Sequence, residues 1–179
     1  MKEVIFIVDM IRGFCEKGNL ADPYIMNIVP NINKLIEDKP EAKVICICDK
    51  HEKNSKELEH FPEHCIDTEE CELVDDFKTK AIYFKNSTNA FFLNDLDDWE
   101  EEIQKLEKPK NIYIVGCCTD ICIMNFAITL KNFCDQRNLS VNIIVPKNCV
   151  ETYDSPEHSR EEWNDMAIKF MKLNGVKTI

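Results

Sequence analysis

Glycine is nearly missing from this chain: there are four in 179 residues, at positions 13, 18, 116 and 175. The GxGxxG dinucleotide turn, the GxxxxGK[ST] phosphate loop and the GxSxG nucleophile elbow each need paired glycines, and none of them occurs. Long apolar runs are missing too. No stretch approaches the roughly 20 residues of a membrane span, and the opening MKEVIFIVDM is too short and too acidic at its end for a signal peptide. A cytoplasmic location is expected. Basic charge is in deficit, with 22 Lys and Arg against 33 Asp and Glu, and the net charge is −11. That excludes nucleic acid and anionic membrane as partners, because phosphate binding needs clustered cations. The acidic stretch Asp95–Glu102 reads as a solvated helix face. Ten cysteines are present but no CxxC pair. Cys46, Cys48, Cys117 and Cys149 lie in or beside apolar runs, where cysteine acts as a small hydrophobe, so reduced thiols are expected.

Apolar residues make up 44% of the chain, enough for one domain over residues 1–179 with a sizeable core. Strand-type runs alternate with helical ones. Strands are expected at Glu3–Val8, Lys43–Cys48, Ala81–Phe84, Ile112–Val115 and Val141–Val145, with a short last one at Val176–Ile179. Helices are expected at Tyr24–Asp38, Asp95–Leu106, Thr119–Cys134 and Ser159–Asn174, the last closed by Gly175. Asp49–Glu70 is polar and aperiodic. Several strands are apolar at every position, as when a parallel sheet is covered on both faces. The expected fold is a three-layer α/β domain, with a mostly parallel central sheet of about six strands and helices on both faces.

Ligands bind such sheets beyond the carboxyl ends of the strands. Asp9, Asp49 with His51, Lys85, and Cys118–Cys122 follow the first four strands and so converge on one rim. In the segment Ile112–Ile123, IYIVGCCTDICI, an apolar run turns at Gly116 into a helical pattern carrying Cys122 in its first turn. A helix start favours negative charge, so the Cys122 pKa is expected to fall and its thiolate to act as nucleophile. Unpaired N–H groups there suit the oxyanion of an acyl intermediate. Asp9 supplies a proton acceptor and Lys85 a positive neighbour. Asp49 and His51 stand at i and i+2, followed by Glu57, His60 and His64, so that three of the four histidines fall in this loop. Mixed carboxylate and imidazole groups at this spacing suit one divalent ion, and zinc, iron and manganese all accept such ligands. His158 reads as a helix start.

Five short motifs, in order, resemble those of the nicotinamidase/isochorismatase family of cysteine hydrolases. VDMIRGFCEKGNLA is similar to the family's opening, which implies Asp9 as catalytic aspartate and Phe14 as an aromatic pocket residue. CDKHEK resembles the Asp-x-His metal motif of the nicotinamidase branch, and FPEHC the later segment ending in a histidine ligand. YFKNSTNAF resembles the catalytic-lysine segment with Lys85, and GCCTDIC the nucleophile loop ending in Cys122. The resemblance implies a cis Cys117–Cys118 peptide, an oxyanion hole from the backbone N–H groups of Cys118 and Cys122, and Asp49, His51, His64 and Glu57 as metal ligands, with His60 competing with Glu57. It implies hydrolysis of nicotinamide to nicotinate and ammonia through a cysteine thioester, with Phe14 and Phe61 flanking the ring. Another amidase or carbamoyl hydrolase with the same triad is the alternative reading, and a non-catalytic thiol redox or metal-binding protein a further one. A small-molecule amide is the expected partner, and the sequence leaves a homo-oligomer open.

Overall fold

The computed structural model describes residues 3–93, 101–103 and 109–179. Among the described residues seven strands form one sheet: β1 Glu3–Val8, β2 Lys43–Asp49, β3 Ala81–Lys85, β4 Asn111–Cys117, β5 Asn142–Val145, β6 Val150–Glu151 and β7 Lys177–Thr178. Their order is β3-β2-β1-β4-β5-β7, with β6 beside the end of β4, and every pairing is parallel. The strand beyond the expected six is β6, whose two residues pair with Gly116 and Cys117 and are too few to show a pattern.

Alternation along the central strands splits the core in two. Val4, Phe6 and Val8 of β1, Ile45 and Ile47 of β2, and Ile112 and Ile114 of β4 point to one face. There they meet α2 (Met124–Gln136) and α3 (Arg160–Leu173), with Phe6 edge-on to Phe126 at 5.5 Å. Ile5, Ile7, Val44, Cys46, Cys48, Tyr113, Val115 and Cys117 point to the other face, against Ile32 and Ile36 of α1 (Val29–Glu37). Both layers explain why these strands are apolar throughout. Each buried isoleucine contributes about 1.5–3 kcal/mol of transfer free energy. All ten cysteines are free thiols. Among the described residues no helix is long and apolar enough to cross a membrane.

Helix boundaries follow local chemistry. The expected Tyr24–Asp38 helix opens as a 3-10 segment, Pro23–Ile28, capped by the Asp22 carboxylate on the Tyr24 amide, and becomes α-helical only from Val29. The expected Thr119–Cys134 helix opens as a π-helical turn, Thr119–Ile123. Ser159 caps α3 on the Glu162 amide, and Gly175, at φ +80°, ends it. Residues 101–103 are helical and the rest of the expected helix Asp95–Leu106 lies outside the described residues.

The register places the site. Val8 lies opposite Gly116, Val8 opposite Ile47, and Asp49 opposite Lys85, so four strands end on one rim. Gly116 has φ +117°, and a Cβ there would lie 2.0 Å from the Val8 carbonyl oxygen. No other residue fits this close approach of β4 to β1.

Candidate active site

A buried ammonium joins three of the expected residues. Lys85 Nζ lies 2.9 Å from Asp9 Oδ2, 2.5 Å from Asp49 Oδ1 and 3.7 Å from Cys122 Sγ. Lys85 and Asp9 are fully enclosed and Asp49 and Cys122 nearly so. Asp9 follows β1 in the left-handed region at φ +56°, which aspartate tolerates better than most residues. Its backbone N–H donates to Ile47 O and its Oδ1 accepts from the Asp49 N–H, each at 2.9 Å, so backbone and carboxylate are both tied to β2.

These contacts set the charges. Burial opposes the Lys85 charge, but Asp49, Asp9 and Cys122 outweigh it and raise the pKa well above the usual lysine value. Burial pushes the Asp9 carboxyl up to about 6, with Lys85 pulling it down and Asp49 pushing it up. Asp49 is held low: burial opposes its charge, and Lys85, His51 and His64 overcome that. Cys122 corrects the sequence expectation. Its thiol is pushed well above the ordinary value, first by burial, which Lys85 counters and Asp9, Asp49 and Cys118 reinforce. The helix start does not lower it, because a nearly enclosed thiol loses more hydration than the turn's dipole returns. Cys122 therefore rests as a thiol, and its deprotonation needs a base. Among the cysteines, Cys71 has a pKa shifted down, to about 7, by a hydrogen bond with Cys65 against the cost of burial.

The loop holding Cys122 is built on the end of β4. The Cys117–Cys118 peptide is cis, and Cys117 Sγ donates to Asp9 O at 3.1 Å. The Ile121 and Ile123 amides both donate to the Cys118 carbonyl, at 3.2 and 3.1 Å, which draws the turn around Cys122.

Asp49, His51, Glu57 and His64 offer ligand atoms that all lie within 4.8 Å of one another. His51 Nε2 is 3.1 Å from His64 Nε2, 3.5 Å from Asp49 Oδ2 and 3.9 Å from Glu57 Oε1. His64 Nε2 is 3.6 Å from Asp49 Oδ2. Nitrogen and oxygen ligands about 2.1 Å from a tetrahedral zinc would be about 3.4 Å apart, close to these spacings. His64 Nδ1 faces the Pro62 carbonyl at 2.7 Å and His51 Nδ1 faces Asn86 Oδ1 at 2.9 Å. Both partners accept, so both Nδ1 atoms carry hydrogen and both Nε2 lone pairs turn inward. Against the cost of burial, Asp49 raises the His51 pKa, so the pocket draws positive charge. This donor set fits a divalent cation. His60 is exposed and stands outside the group. Asn86 and the Pro62 carbonyl were invisible in the sequence, because an amide and a backbone oxygen carry no motif.

A cavity of about 710 Å³ reaches this group and the thiol together. Phe14, Phe61, Ile121 and Tyr153 give it apolar walls, and Asp49, His64 and Cys122 line its floor. Phe14 and Phe61 approach the His64 ring at centroid distances of 5.6 and 6.4 Å. Both aromatic residues named from the sequence therefore meet at this cavity, and Tyr153, which the sequence did not mark, joins them. A shallower groove of about 510 Å³ shares Glu57, His60, Phe61 and Thr88 but does not reach Cys122.

Residues 3–179 match the model of the isochorismatase domain family. Nicotinamidase 1 of Arabidopsis thaliana is 31% identical over 178 residues, spanning 86% of this chain and 71% of that protein. Among solved structures, a pyrazinamidase of Pyrococcus horikoshii in complex with zinc superposes with a TM-score of 0.76 at 24% identity, covering 99% of this chain and 98% of that one. A nicotinamidase from Bacillus subtilis gives 0.77 at 22%, with 99% and 98% covered. An N-carbamoylsarcosine amidase from Thermoplasma acidophilum gives 0.74 at 22%, with 99% and 95% covered.

Proposed function

This chain belongs to the isochorismatase family, and from that premise we propose that it is a cysteine-dependent amidohydrolase that converts nicotinamide to nicotinate and ammonia. The observation that carries this reading is the buried contact of Lys85 with Asp9, Asp49 and Cys122, set beside a four-residue metal group at one cavity. The likeness to a plant nicotinamidase supports the choice of amide.

Asp9, as carboxylate, takes the proton of the Cys122 thiol, and Lys85 stabilises the thiolate as it forms. The thiolate attacks the carboxamide carbon, and the resulting oxyanion rests on the N–H groups of Cys118 and Cys122. One such donor is worth about 2.7–4 kcal/mol in acyl transfer. Asp9 returns the proton to the leaving nitrogen and ammonia departs, leaving a thioester. Asp9 then accepts a proton from water as it attacks the thioester, which frees nicotinate and the thiol. Phe14, Phe61 and Tyr153 sandwich the ring, excluding water and holding the carboxamide over Sγ. Asp49, His51, Glu57 and His64 would hold one divalent ion, zinc, iron or manganese, which supplies Lewis acidity toward the ring nitrogen when bound.

An ammonia-release screen of nicotinamide, pyrazinamide, benzamide and N-carbamoyl amino acids tests the reading, with Cys122→Ala as control. Nicotinamide and pyrazinamide should be turned over and benzamide poorly. Turnover of N-carbamoyl substrates alone would move the chain to carbamoyl hydrolysis, and turnover that survives Cys122→Ala would remove the nucleophile.

A further inference from the structure

A second buried contact between an imidazole and a carboxyl group lies at the nucleophile turn, apart from the Lys85 cluster and the metal group. Asp120 is the second residue of the turn Thr119–Ile123, two residues before Cys122, and its side chain is buried. Asp120 Oδ2 lies 2.9 Å from His158 Nε2. The other carboxylate oxygen, Oδ1, is buried with no hydrogen-bond partner among the described residues. His158 Nδ1 lies 3.1 Å from the Tyr153 carbonyl.

Both partners of the His158 ring are acceptors, so the ring satisfies both only when each nitrogen carries hydrogen, that is, as imidazolium. The ring is also sandwiched. Tyr153 stacks on it at 3.9 Å and 8°, and Trp163 on the other side at 4.8 Å and 10°. Two aromatic faces are a favourable seat for a cation. Its neighbour Arg160 is turned elsewhere, to Asp22 Oδ2 and the Thr152 carbonyl, so Asp120 is the anion facing the ring. Helix α3, which begins at Arg160, packs against the nucleophile turn and carries Trp163.

We infer that the His158–Asp120 ion pair is a positioning device for the nucleophile turn, and that both are positioning residues for the reaction proposed above. Two effects follow from its place. Asp120 ties the start of the five-residue turn to the segment that leads into α3, beside the Lys85 contact and the buried Ile123 further along, so the pair helps fix where Cys122 Sγ and the Cys118 and Cys122 amides point. The pair also cancels a buried negative charge. An uncompensated carboxylate two residues from Cys122 would oppose both the thiolate and the oxyanion, and such opposition is strong where water is excluded. Tyr153 gives the pair a face on the cavity, because its ring lines the substrate cavity and rests on the imidazolium.

The test uses the full chain with its metal loaded, at fixed neutral pH, and compares His158→Leu, His158→Gln and Asp120→Asn. His158→Leu should lower kcat about 10–100-fold with KM changed less than about twofold, since the pair acts on the turn and does not touch substrate. His158→Gln, which keeps a donor for Asp120, should recover to within about threefold to tenfold of the parent. Asp120→Asn, nearly isosteric, should fall between them. Two readouts need no turnover and so stand apart from the choice of substrate. Nitrogen-15 NMR of the ring should show both His158 nitrogens protonated in the parent and one deprotonated in Asp120→Asn. Alkylation of Cys122, followed by peptide mapping, should slow at least fivefold in His158→Leu as the thiol leaves its Lys85 contact. Unchanged kcat and alkylation in folded His158→Leu, a loss confined to KM, or a neutral His158 ring in the parent would each overturn the inference. Should His158→Leu fail to fold, Asp120→Asn decides by the same readouts. An inactive parent with the NMR and alkylation results intact would count against the proposed substrate and leave the pair standing.

Discussion

Replacing Lys85 by methionine removes the ammonium between two buried carboxylates, and its cost can be worked out. Removing one partner of a buried ion pair costs about 3–5 kcal/mol, because the remaining charge is left without water or counter-ion. For a chain of this size each kcal/mol moves Tm by about 2–4 °C, so the variant should melt roughly 6–20 °C lower. The deficit should depend on pH, and its sign is fixed. Burial raises Asp9 to about 6, above its unfolded value, so Asp9 favours folding when protonated and that contribution is lost as pH rises through about 6. Lys85 is what pulls this value down, so without it the folded pKa climbs and the loss continues to higher pH. One proton is worth about 1.4 kcal/mol per pH unit, which widens the gap by about 2 kcal/mol between pH 6 and 7.5. Scanning calorimetry of both proteins at about pH 5, 6 and 7.5, at matched metal content, reads the difference directly. Adding Asp9→Asn to the variant should return about 0.5–3 kcal/mol. A deficit equal at pH 5 and 7.5, or a double variant no more stable than Lys85→Met, would refute the charge balance assigned to this cluster.

Asp9→Asn in the intact chain should keep the fold and lower kcat by about 10²–10⁴, the usual cost of losing a general base, measured by ammonia release. Since Asp9 must be ionised to accept the thiol proton, kcat/KM should rise with pH through about 6 and then level off; a fall over that range would exclude Asp9 as base. In the substrate-free protein iodoacetamide should label Cys71 before Cys122, because Cys71 is half-buried with its pKa near 7 while burial keeps Cys122 protonated; peptide mapping with Cys122 labelled first would contradict the pKa order. His51→Ala should lose most bound metal by elemental analysis and raise KM for nicotinamide, and retention of a full equivalent would remove His51 from the ligand set.

Strand ends were the most legible part of the chain. Asp9, Asp49 and Lys85 each break an all-apolar run, and in a parallel sheet a polar residue at that point has one place to go. Composition cannot weigh opposing electrostatic effects, and that is why the Cys122 pKa runs opposite to the sequence expectation. Its helix-start position is visible in sequence, but its burial near Asp9 and Asp49 is a three-dimensional fact. Pairs distant in the chain were equally hidden. His158 read as a helix start, and its contact with Asp120 spans 38 residues of sequence. The turn Thr119–Ile123 looked like ordinary helix because a π-helical opening keeps the apolar spacing of Ile121 and Met124. The β6 strand is two residues long and owes its existence to its neighbour β4.

The glycine-tight seam between β1 and β4 separates two kinds of change in this protein. Asp9 and the Cys122 turn hang from adjacent strands whose backbones touch at Val8 and Gly116, so their spacing is a property of the sheet. Phe14, Phe61 and Tyr153 stand on segments outside the seven strands. Substitutions in those walls can redraw which amide fits while the reacting atoms keep their places. The same chemistry can be handed from one substrate to another by exchanging loops, whereas a single methyl group at position 116 would force the two strands apart and take the reaction with it.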